Sequence, residues 1–249
     1  KEIMNLPKIN KRFEVFNKAE TDEAEMYLYG SIGSAWYADI SSYEVRYKLN
    51  TITAKTIHIH INSPGGDVFE SIAIHNLLKN HDAEIVIHID GIAASGGSVI
   101  AMAGDKIIMP KNTMMMIHKA WTFTGGNADE LRKTAENLDQ IDTAVTESYT
   151  SRFVGEREEL EVLLADETYL NADKCLVLGF CDKIVDEIQQ KDDDDNNVQQ
   201  SAKEAILNKY SGNQIVALQI KPIVQENPIE QRSENLITGM MMNYLKNGK

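Results

Sequence analysis

Two glycine-rich turns, each placed directly after a strand-like segment, constrain how this chain can fold more than any other feature. The first reads Asn62-Ser63-Pro64-Gly65-Gly66-Asp67 and follows alternating β-branched and polar residues at 56–61. The second covers residues 91–97 and follows a strand-like run at 84–89. Residues with helical spacing follow each turn, at 67–78 and at 98–103. This order of strand, turn and helix predicts parallel βαβ units, and therefore an α/β fold.

The rest of the central region continues the same pattern. Apolar residues recur every three or four positions after Gly125-Gly126 and predict one long helix; they are Ala128, Leu131, Ala135, Leu138, Ile141, Val145 and Tyr149. Further strands are predicted at residues 26–30, 106–109, 114–117 and 183–185, and shorter helices at residues 156–164 and 172–178. We therefore expect helices packed on the outside of a sheet.

Composition divides the chain into four parts. Residues 26–188 carry the predicted strands and helices and form one domain, preceded by an amino-terminal segment at 1–25. Residues 189–200 are an Asp-rich linker, because residues 189–197 include no apolar side chain to bury. Residues 201–249 are expected to be a partly helical tail, since so short a segment makes a weak core of its own.

Charge and hydropathy exclude several classes of function. The net charge is −13 and no Lys/Arg block occurs, so the chain lacks the positive surface that nucleic-acid binding requires. Its longest apolar stretch, near residues 92–103, is too short and too often interrupted by glycine and serine to span a membrane. The only two cysteines, Cys175 and Cys181, form no disulfide framework and fit a protein of the reducing cytoplasm.

The second turn places a serine where it can act as a nucleophile. Ser95 has only alanine and glycine as neighbours, so its hydroxyl is sterically open. Backbone N–H groups in glycine-rich turns can approach a ligand closely. The N–H groups of Gly66 and Gly96 can therefore form an oxyanion hole for the carbonyl oxygen of a group that Ser95 attacks.

A serine nucleophile needs a base, and the candidate is His118, directly after the predicted 114–117 strand. An imidazole has a suitable pKa to accept the serine proton and to return it to a leaving amine. A carboxylate should then orient the imidazole, and the nearest plausible sources are Glu167 and Asp166. Out of context, a structural role is favoured for a serine in such a turn and is as plausible as a catalytic one for His118.

Other assignments of these residues are less favourable. Ser98 lies one helical turn further into the following helix, and Lys119 points to the opposite strand face from His118. His58 and His60 share a strand face, but no cluster of Cys or carboxylate residues follows to complete a metal site. The phosphate-binding glycine motifs of ATP and dinucleotide sites do not occur either. We therefore predict no metal and no cofactor.

Taken together, the motifs resemble the proteolytic subunit of the Clp protease, ClpP, and more closely the ClpP-like proteases of phages and prophages. The resemblance covers residues 26–186 and rests on motifs in the same order: Ile61-Asn62-Ser63-Pro64-Gly65-Gly66, Ala93-Ala94-Ser95-Gly96, Met116-Ile117-His118, Glu167-Thr168-Tyr169-Leu170 with Ala172, and Gly179-Phe180-Cys181-Asp182. It implies the family's spiral of βαβ units, a fold shared with crotonases. It also implies a serine endopeptidase that hydrolyses peptide or protein substrates through an acyl-enzyme.

The resemblance further implies roles for single residues and an oligomeric assembly. Ser95 is then the nucleophile, His118 the general base, and the Gly66 and Gly96 N–H groups the oxyanion hole. Residues 128–153 are the long helix through which homo-oligomeric rings stack on each other. The biological setting is either trimming of capsid or scaffold proteins in phage head assembly or general protein degradation.

The chain departs from the family pattern in three places. Glu167 stands where the third member of the triad is usually an aspartate, and Asp166, one residue earlier, is the alternative acid. The segment that the family uses for its axial pore is not recognisable in residues 1–25, which leaves docking of an ATPase unfoldase open. Residues 189–249 fall outside the resemblance.

Two other functions remain as alternatives. One is a catalytically idle assembly or scaffold protein that keeps the fold, which the glutamate at position 167 allows. The other is a crotonase-type acyl-CoA enzyme, which shares the fold and an oxyanion hole of two N–H groups. A crotonase needs no serine–histidine pair, so the presence of both Ser95 and His118 argues against it.

Overall fold

The computed structural model describes residue 9, residues 11–18 and residues 20–186. Its strands are β1 (Arg12–Lys18), β2 (Glu23–Ile32), β3 (Thr56–Gly66), β4 (Glu84–Ala94), β5 (Lys106–Pro110), β6 (Met114–Ile117), β7 (Thr168–Asn171) and β8 (Lys183–Val185). Its helices are α1 (Ser42–Leu49), α2 (Val68–Lys79), α3 (Gly96–Ala101), α4 (Ala128–Thr150), α5 (Arg157–Ala165) and α6 (Ala172–Val177). The predicted linker at 189–200 and the tail at 201–249 lie outside the described residues.

The strands form an eight-stranded sheet whose main path is β1-β2-β3-β4-β5-β8. Neighbours from β2 onward along this path are parallel, whereas β1 pairs antiparallel with β2. The far end of β4 leaves β5 and pairs in parallel with β6, and β7 adds antiparallel to β6. The parallel strands are joined by crossovers that include helices, so the predicted α/β fold is confirmed.

Alternation along the central strands decides which face of the sheet is buried. Side chains of β3 are alternately buried and half-buried, as the two-residue period of a strand requires. Helix α3 packs against β3, and α2 packs against α3. The core at this position contains Ile57, Ile59, Ile61, Ile74, Leu78, Val99 and Ile100. Each such aliphatic side chain contributes about 1.5–3 kcal/mol by leaving water, so the turns that follow β3 and β4 rest on a well-packed support.

Helix α4 is divided into a packed part and a projecting part. It begins at a capping box formed by Asn127 and Glu130. Only residues of its carboxyl-terminal half are buried, namely Val145, Thr146 and Tyr149. The apolar stripe predicted from the sequence continues into the amino-terminal half, where Leu131 is 43% exposed. The amino-terminal part of this stripe, at Ala128, Leu131 and Ala135, is therefore left exposed by the single chain.

The structure extends the sheet beyond the amino-terminal boundary that the sequence suggested. β1 lies within the segment at 1–25, and β2 begins before residue 26. The helix after the second turn begins at Gly96 rather than at residue 98, which shortens that turn. None of the helices in the part of the chain that the structure describes is long and apolar enough to cross a membrane.

Candidate active site

The first glycine-rich turn is held in place by a buried serine. Ser63 Oγ donates to the carbonyl of Gly30 at 2.7 Å and accepts the N–H of Gly65 at 3.1 Å. Gly65 and Gly66 then adopt φ of 88° and 152°, a region that other residues rarely enter. The pair of glycines is therefore required by the backbone path, and the turn is rigid where it leaves the sheet.

The second turn presents Ser95 at a sharp bend between β4 and α3. Ser95 has φ 52° and ψ −121°, a strained conformation for a residue with a side chain. Its N–H donates to the carbonyl of Met116 in β6 at 2.9 Å, which fixes the bend from the neighbouring strand. A serine on a strained strand-to-helix bend is the arrangement that exposes a nucleophilic hydroxyl in α/β-hydrolases.

The two turns touch each other because β3 and β4 are neighbours in register, with Ser63 paired to Ala93. A Cβ added to Gly65 would lie 2.7 Å from both the Cβ of Ser95 and the backbone N of Gly96. In the described residues the Gly96 N–H has no backbone acceptor, because it opens the first turn of α3. The Gly96 N–H is therefore an unpaired donor that lies beside Ser95.

His118 reaches Ser95 through the pairing of β4 with β6. Ala94 pairs with Met116, so the residues that follow these strand ends lie side by side. His118 Nε2 is 2.7 Å from Ser95 Oγ, although the two residues are 23 positions apart. When the serine hydroxyl is the donor, Nε2 is unprotonated and the ring proton sits on Nδ1, which is the tautomer that a general base needs.

The surroundings of His118 favour its neutral form. Burial lowers the pKa of His118 below the ordinary value of a histidine, and the carboxylates of Glu167 and then Asp142 oppose that effect. The imidazole is therefore neutral near pH 7 and able to accept a proton. The same two carboxylates favour the imidazolium form of His118.

The predicted acids lie near His118 but are not bonded to it. β6 and β7 pair antiparallel with Ile117 opposite Thr168, which brings Glu167 alongside the end of β6. Both Glu167 and Asp166 are exposed, and neither carboxylate accepts a hydrogen bond from His118. Asp166 is the residue that ends α5. Of the two, only Glu167 contributes to the electrostatic environment of His118.

Asp142 of α4 is a residue near this site that the sequence did not reveal. One of its carboxylate oxygens accepts the N–H of Ala120 at 2.7 Å, and the other lies 3.8 Å from Lys119 Nζ. It therefore fastens the segment after His118 to the long helix. No motif marks Asp142 in the sequence; its position directly beside Ile141 of the apolar stripe was the available signal.

The alternative residues weighed from the sequence have other contacts. Ser98 is fully buried, and its hydroxyl bonds to carbonyl oxygens rather than facing open space. Lys119 is paired with Asp142. Neither therefore competes geometrically with Ser95 and His118 for the candidate roles.

The histidines of β3 form a separate cluster with β4. His58 Nδ1 lies 2.9 Å from His88 Nε2, and His60 Nδ1 lies 2.8 Å from an oxygen of Asp90. Burial, assisted by the other two histidines, lowers the pKa of His88 to about 4. Within residues 9, 11–18 and 20–186, no three metal-ligating side chains converge on a point that could hold an ion. The imidazoles instead bond to each other and to Asp90.

The bond between the Ser95 hydroxyl and an imidazole, at a strained bend beside an unpaired N–H, places the chain among the serine hydrolases by its chemistry. Comparison with known proteins narrows this class. The sequence model of the Clp protease family matches residues 10–188, and the chain belongs to that family. It is accordingly a serine endopeptidase of the ClpP type.

Individual relatives agree with this assignment. The ATP-dependent Clp protease proteolytic subunit of Deinococcus radiodurans is 27% identical over 137 residues, which are 54% of this chain and 67% of that protein. The subunit of the same name from Bdellovibrio bacteriovorus is 30% identical over 150 residues, covering 55% of this chain and 67% of the relative. That of Streptococcus thermophilus is 30% identical over 148 residues, covering 55% and 72%.

Proposed function

We propose that the chain hydrolyses peptide bonds of protein substrates with Ser95 as nucleophile and His118 as general base. The Gly66 and Gly96 N–H groups bind the oxyanion, and Glu167 is the acid that supports the histidine. The observation that carries this proposal is the 2.7 Å distance between Ser95 Oγ and His118 Nε2. That distance lies within the range over which a positioned base removes a proton.

The proposed reaction runs in two halves. Ser95 Oγ attacks the scissile carbonyl carbon while its proton passes to His118 Nε2, and the carbonyl oxygen becomes an oxyanion beside the glycine N–H groups. When the C–N bond breaks, His118 returns the proton to the leaving amine, and an acyl-enzyme remains. Water then attacks the acyl carbon and gives its proton to His118. Release of the carboxylic acid returns a proton to Ser95.

Glu167 is preferred to Asp166 as the supporting acid for an electrostatic reason. The Glu167 carboxylate favours protonated His118 more strongly than Asp142, the other carboxylate with this effect. Glu167 directly precedes β7, whose pairing with β6 brings it alongside the end of β6. Asp166 instead caps the carboxyl-terminal end of α5. Glu167 is exposed and its carboxylate makes no hydrogen bond or ion pair in the described residues, so the side chain can change rotamer when substrate binds.

The experiment is reaction of the purified chain with a fluorophosphonate, followed by intact mass. Wild type should gain a single adduct, Ser95→Ala should gain none, and His118→Ala should label more slowly by a factor on the order of 10³. Ser151→Ala removes an exposed serine at the end of α4 and serves as the matched control, with unchanged labelling. An unlabelled but folded wild-type chain would instead favour the idle scaffold.

We extend the proposal to assembly because α4 projects an apolar stripe that the single chain leaves exposed. Rings of this chain that stack through residues 128–140 would bury that stripe. Native mass spectrometry should then report two stacked rings. A monomer or a single ring at micromolar concentration would contradict the role given to α4.

The setting is proposed as phage head maturation or general protein degradation, and the two differ in their need for an ATPase. The relatives are named ATP-dependent proteases. A head-maturation enzyme should cut an exposed segment of an assembled capsid or scaffold protein without ATP. A degradative enzyme should need an unfoldase before it cleaves a folded protein, so cleavage assays with and without ATP and an unfoldase separate the two.

A further inference from the structure

Behind Ser95 lies a buried pair of hydroxyl groups that the catalytic proposal does not use. Ser98 in α3 is 0% exposed, and Tyr149 in α4 is 1% exposed. Their hydroxyl oxygens are 2.8 Å apart, although the residues are 51 positions apart in the chain. The Ser98 oxygen also lies 2.6 Å from the carbonyl of Ser95 and 2.9 Å from the carbonyl of Met116.

Counting protons fixes the direction of these hydrogen bonds. The two hydroxyl groups supply two protons, and the carbonyl oxygens of Ser95 and Met116 can only accept. The Ser98 oxygen is too close to both carbonyl oxygens for no proton to lie between them, so the single Ser98 proton is shared between the two carbonyls. Tyr149 must then donate to Ser98. The result is a directed chain from the Tyr149 hydroxyl through Ser98 to both carbonyls, and bonds arranged in this way strengthen one another.

The carbonyls at the end of this chain belong to the two segments that the proposed mechanism must align. The Ser95 carbonyl is part of the strained bend that exposes the nucleophile. The Met116 carbonyl also accepts the N–H of Ser95 at 2.9 Å, and His118 follows two positions later at the end of β6. Ser98 thus links the bend at Ser95 to strand β6, which leads to His118.

Tyr149 connects this arrangement to the long helix. Its ring packs edge-to-face near Phe180 at 5.8 Å, so the phenol is enclosed by the core and is not free to turn. A buried phenol must satisfy its hydroxyl, and here the partner is the serine behind the nucleophile. The position of the Tyr149 ring therefore fixes the position of the Ser98 hydroxyl.

We propose that Tyr149 and Ser98 are positioning residues, which act through the Ser95 bend and the Met116 carbonyl to keep the Ser95 hydroxyl aligned with His118. This proposal rests on the catalytic roles given to Ser95 and His118. Neither residue touches substrate. Removing the Tyr149 hydroxyl takes away the donor to the Ser98 oxygen, which weakens the bonds of Ser98 to the two carbonyls. The alignment of the two reacting groups then loosens without any change in the groups themselves.

The test compares Tyr149→Phe with Thr146→Val, because both remove one buried hydroxyl from the same part of α4. The Thr146 hydroxyl bonds only within its helix, to the Asp142 carbonyl. Saturation kinetics with a fluorophosphonate separate the maximal labelling rate from the half-saturating concentration. Tyr149→Phe should lower the maximal rate about 10-fold with the half-saturating concentration unchanged, since small displacements of reacting groups are costly. Thr146→Val should leave both values unchanged.

A double variant sharpens the result. Because Tyr149 acts only through Ser98, adding Tyr149→Phe to Ser98→Ala should cause no further loss of rate. Independent, additive losses would overturn the proposal, and so would a folded Tyr149→Phe chain that labels at the wild-type rate.

A second readout does not depend on activity. Amide hydrogen exchange at residues 95–99 and 116–118 should become faster in Tyr149→Phe and not in Thr146→Val. Unchanged exchange there would overturn the proposal even in an active enzyme. If wild type fails to label at all, the catalytic roles fail, and the exchange result then shows separately whether the hydroxyl pair holds the bend.

Discussion

The Ser95 bend and the segment that carries Glu167 flank the same histidine, but they are held in different ways. The Ser98 hydroxyl donates to the carbonyl of the bend, the Ser95 N–H donates to the Met116 carbonyl, and the bend lies on a packed core. Glu167 is exposed, and its carboxylate makes no hydrogen bond to His118. The proposed nucleophile and base are therefore prearranged by the fold of a single chain, while the proposed supporting acid is placed only by its backbone.

The difference has a physical reason. A buried polar group that lacks a partner costs about 1–3 kcal/mol, so the interior around Ser95 permits few arrangements. An exposed glutamate loses no such energy when it moves, and fixing its side chain costs conformational entropy. Variants near Ser95 and variants near Glu167 should therefore have different kinds of effect. Changes near Ser95 should affect folding and activity together, and changes near Glu167 should affect activity alone.

The largest effect is expected where the two glycine-rich turns touch. Gly65→Ala places a Cβ 2.7 Å from the Cβ of Ser95, at a residue with φ 88°. We expect fluorophosphonate labelling to fall by a factor of about 100 or more and the free energy of unfolding to fall by about 2 kcal/mol. Chemical denaturation and labelling kinetics on the same sample measure both quantities.

Gly125→Ala is the matched control for this change. A Cβ at Gly125 meets no atom within 4 Å, and Gly125 is outside the group of glycines with positive φ. Its labelling and stability should equal those of wild type. Full activity in Gly65→Ala would show that the contact between the turns does not position the nucleophile.

Local sequence patterns were sufficient for the parts of the fold in which periodicity changes abruptly. The switch from period two in β3 to helical spacing in α2 predicted a βα unit that the structure confirms, and the structure adds that Asp67 caps the helix. Helix α1 was not predicted, because only Val45 and Leu49 of its residues are buried. Its start depends on the Ser41 cap and its persistence on tertiary packing.

The candidate site likewise contains residues that the sequence reveals and residues that it does not. Ser95 and His118 stand out because each follows a recognisable strand, and parallel strands end at one edge of a sheet. Asp142 and Tyr149 did not stand out. Both lie on one helix far along the chain, and their contacts depend on how that helix crosses the sheet, which no local pattern encodes.

The acid side should respond in activity without loss of stability. Glu167→Gln removes the carboxylate that favours protonated His118 most strongly. We therefore expect labelling to slow by about 10- to 100-fold with an unchanged unfolding transition. Asp166→Asn is the matched control, one residue away and equally exposed, and should change the rate less than twofold. The opposite ranking would make Asp166 the supporting acid.

The smallest effect is expected at Asp142, and it should appear in the pH dependence. Labelling requires neutral His118, so the rate falls at acidic pH through the pKa of His118, which burial has lowered. Asp142→Asn keeps an oxygen for the Ala120 N–H but removes a negative charge that favours the imidazolium. The pKa of His118 should therefore fall further and the acidic limb should move to lower pH.

At neutral pH the same variant should label within about threefold of wild type, because His118 is already neutral there and the hydrogen bond to Ala120 is kept. Asp142→Ala separates the effect of the charge on His118 from the effect of the hydrogen bond to Ala120. It removes the charge and the acceptor together, so it should show the same shift of the acidic limb and, in addition, a slower rate at neutral pH as the segment after His118 loosens. An acidic limb that stays in place in both variants would mean that Asp142 acts on the segment alone and not on the charge of His118.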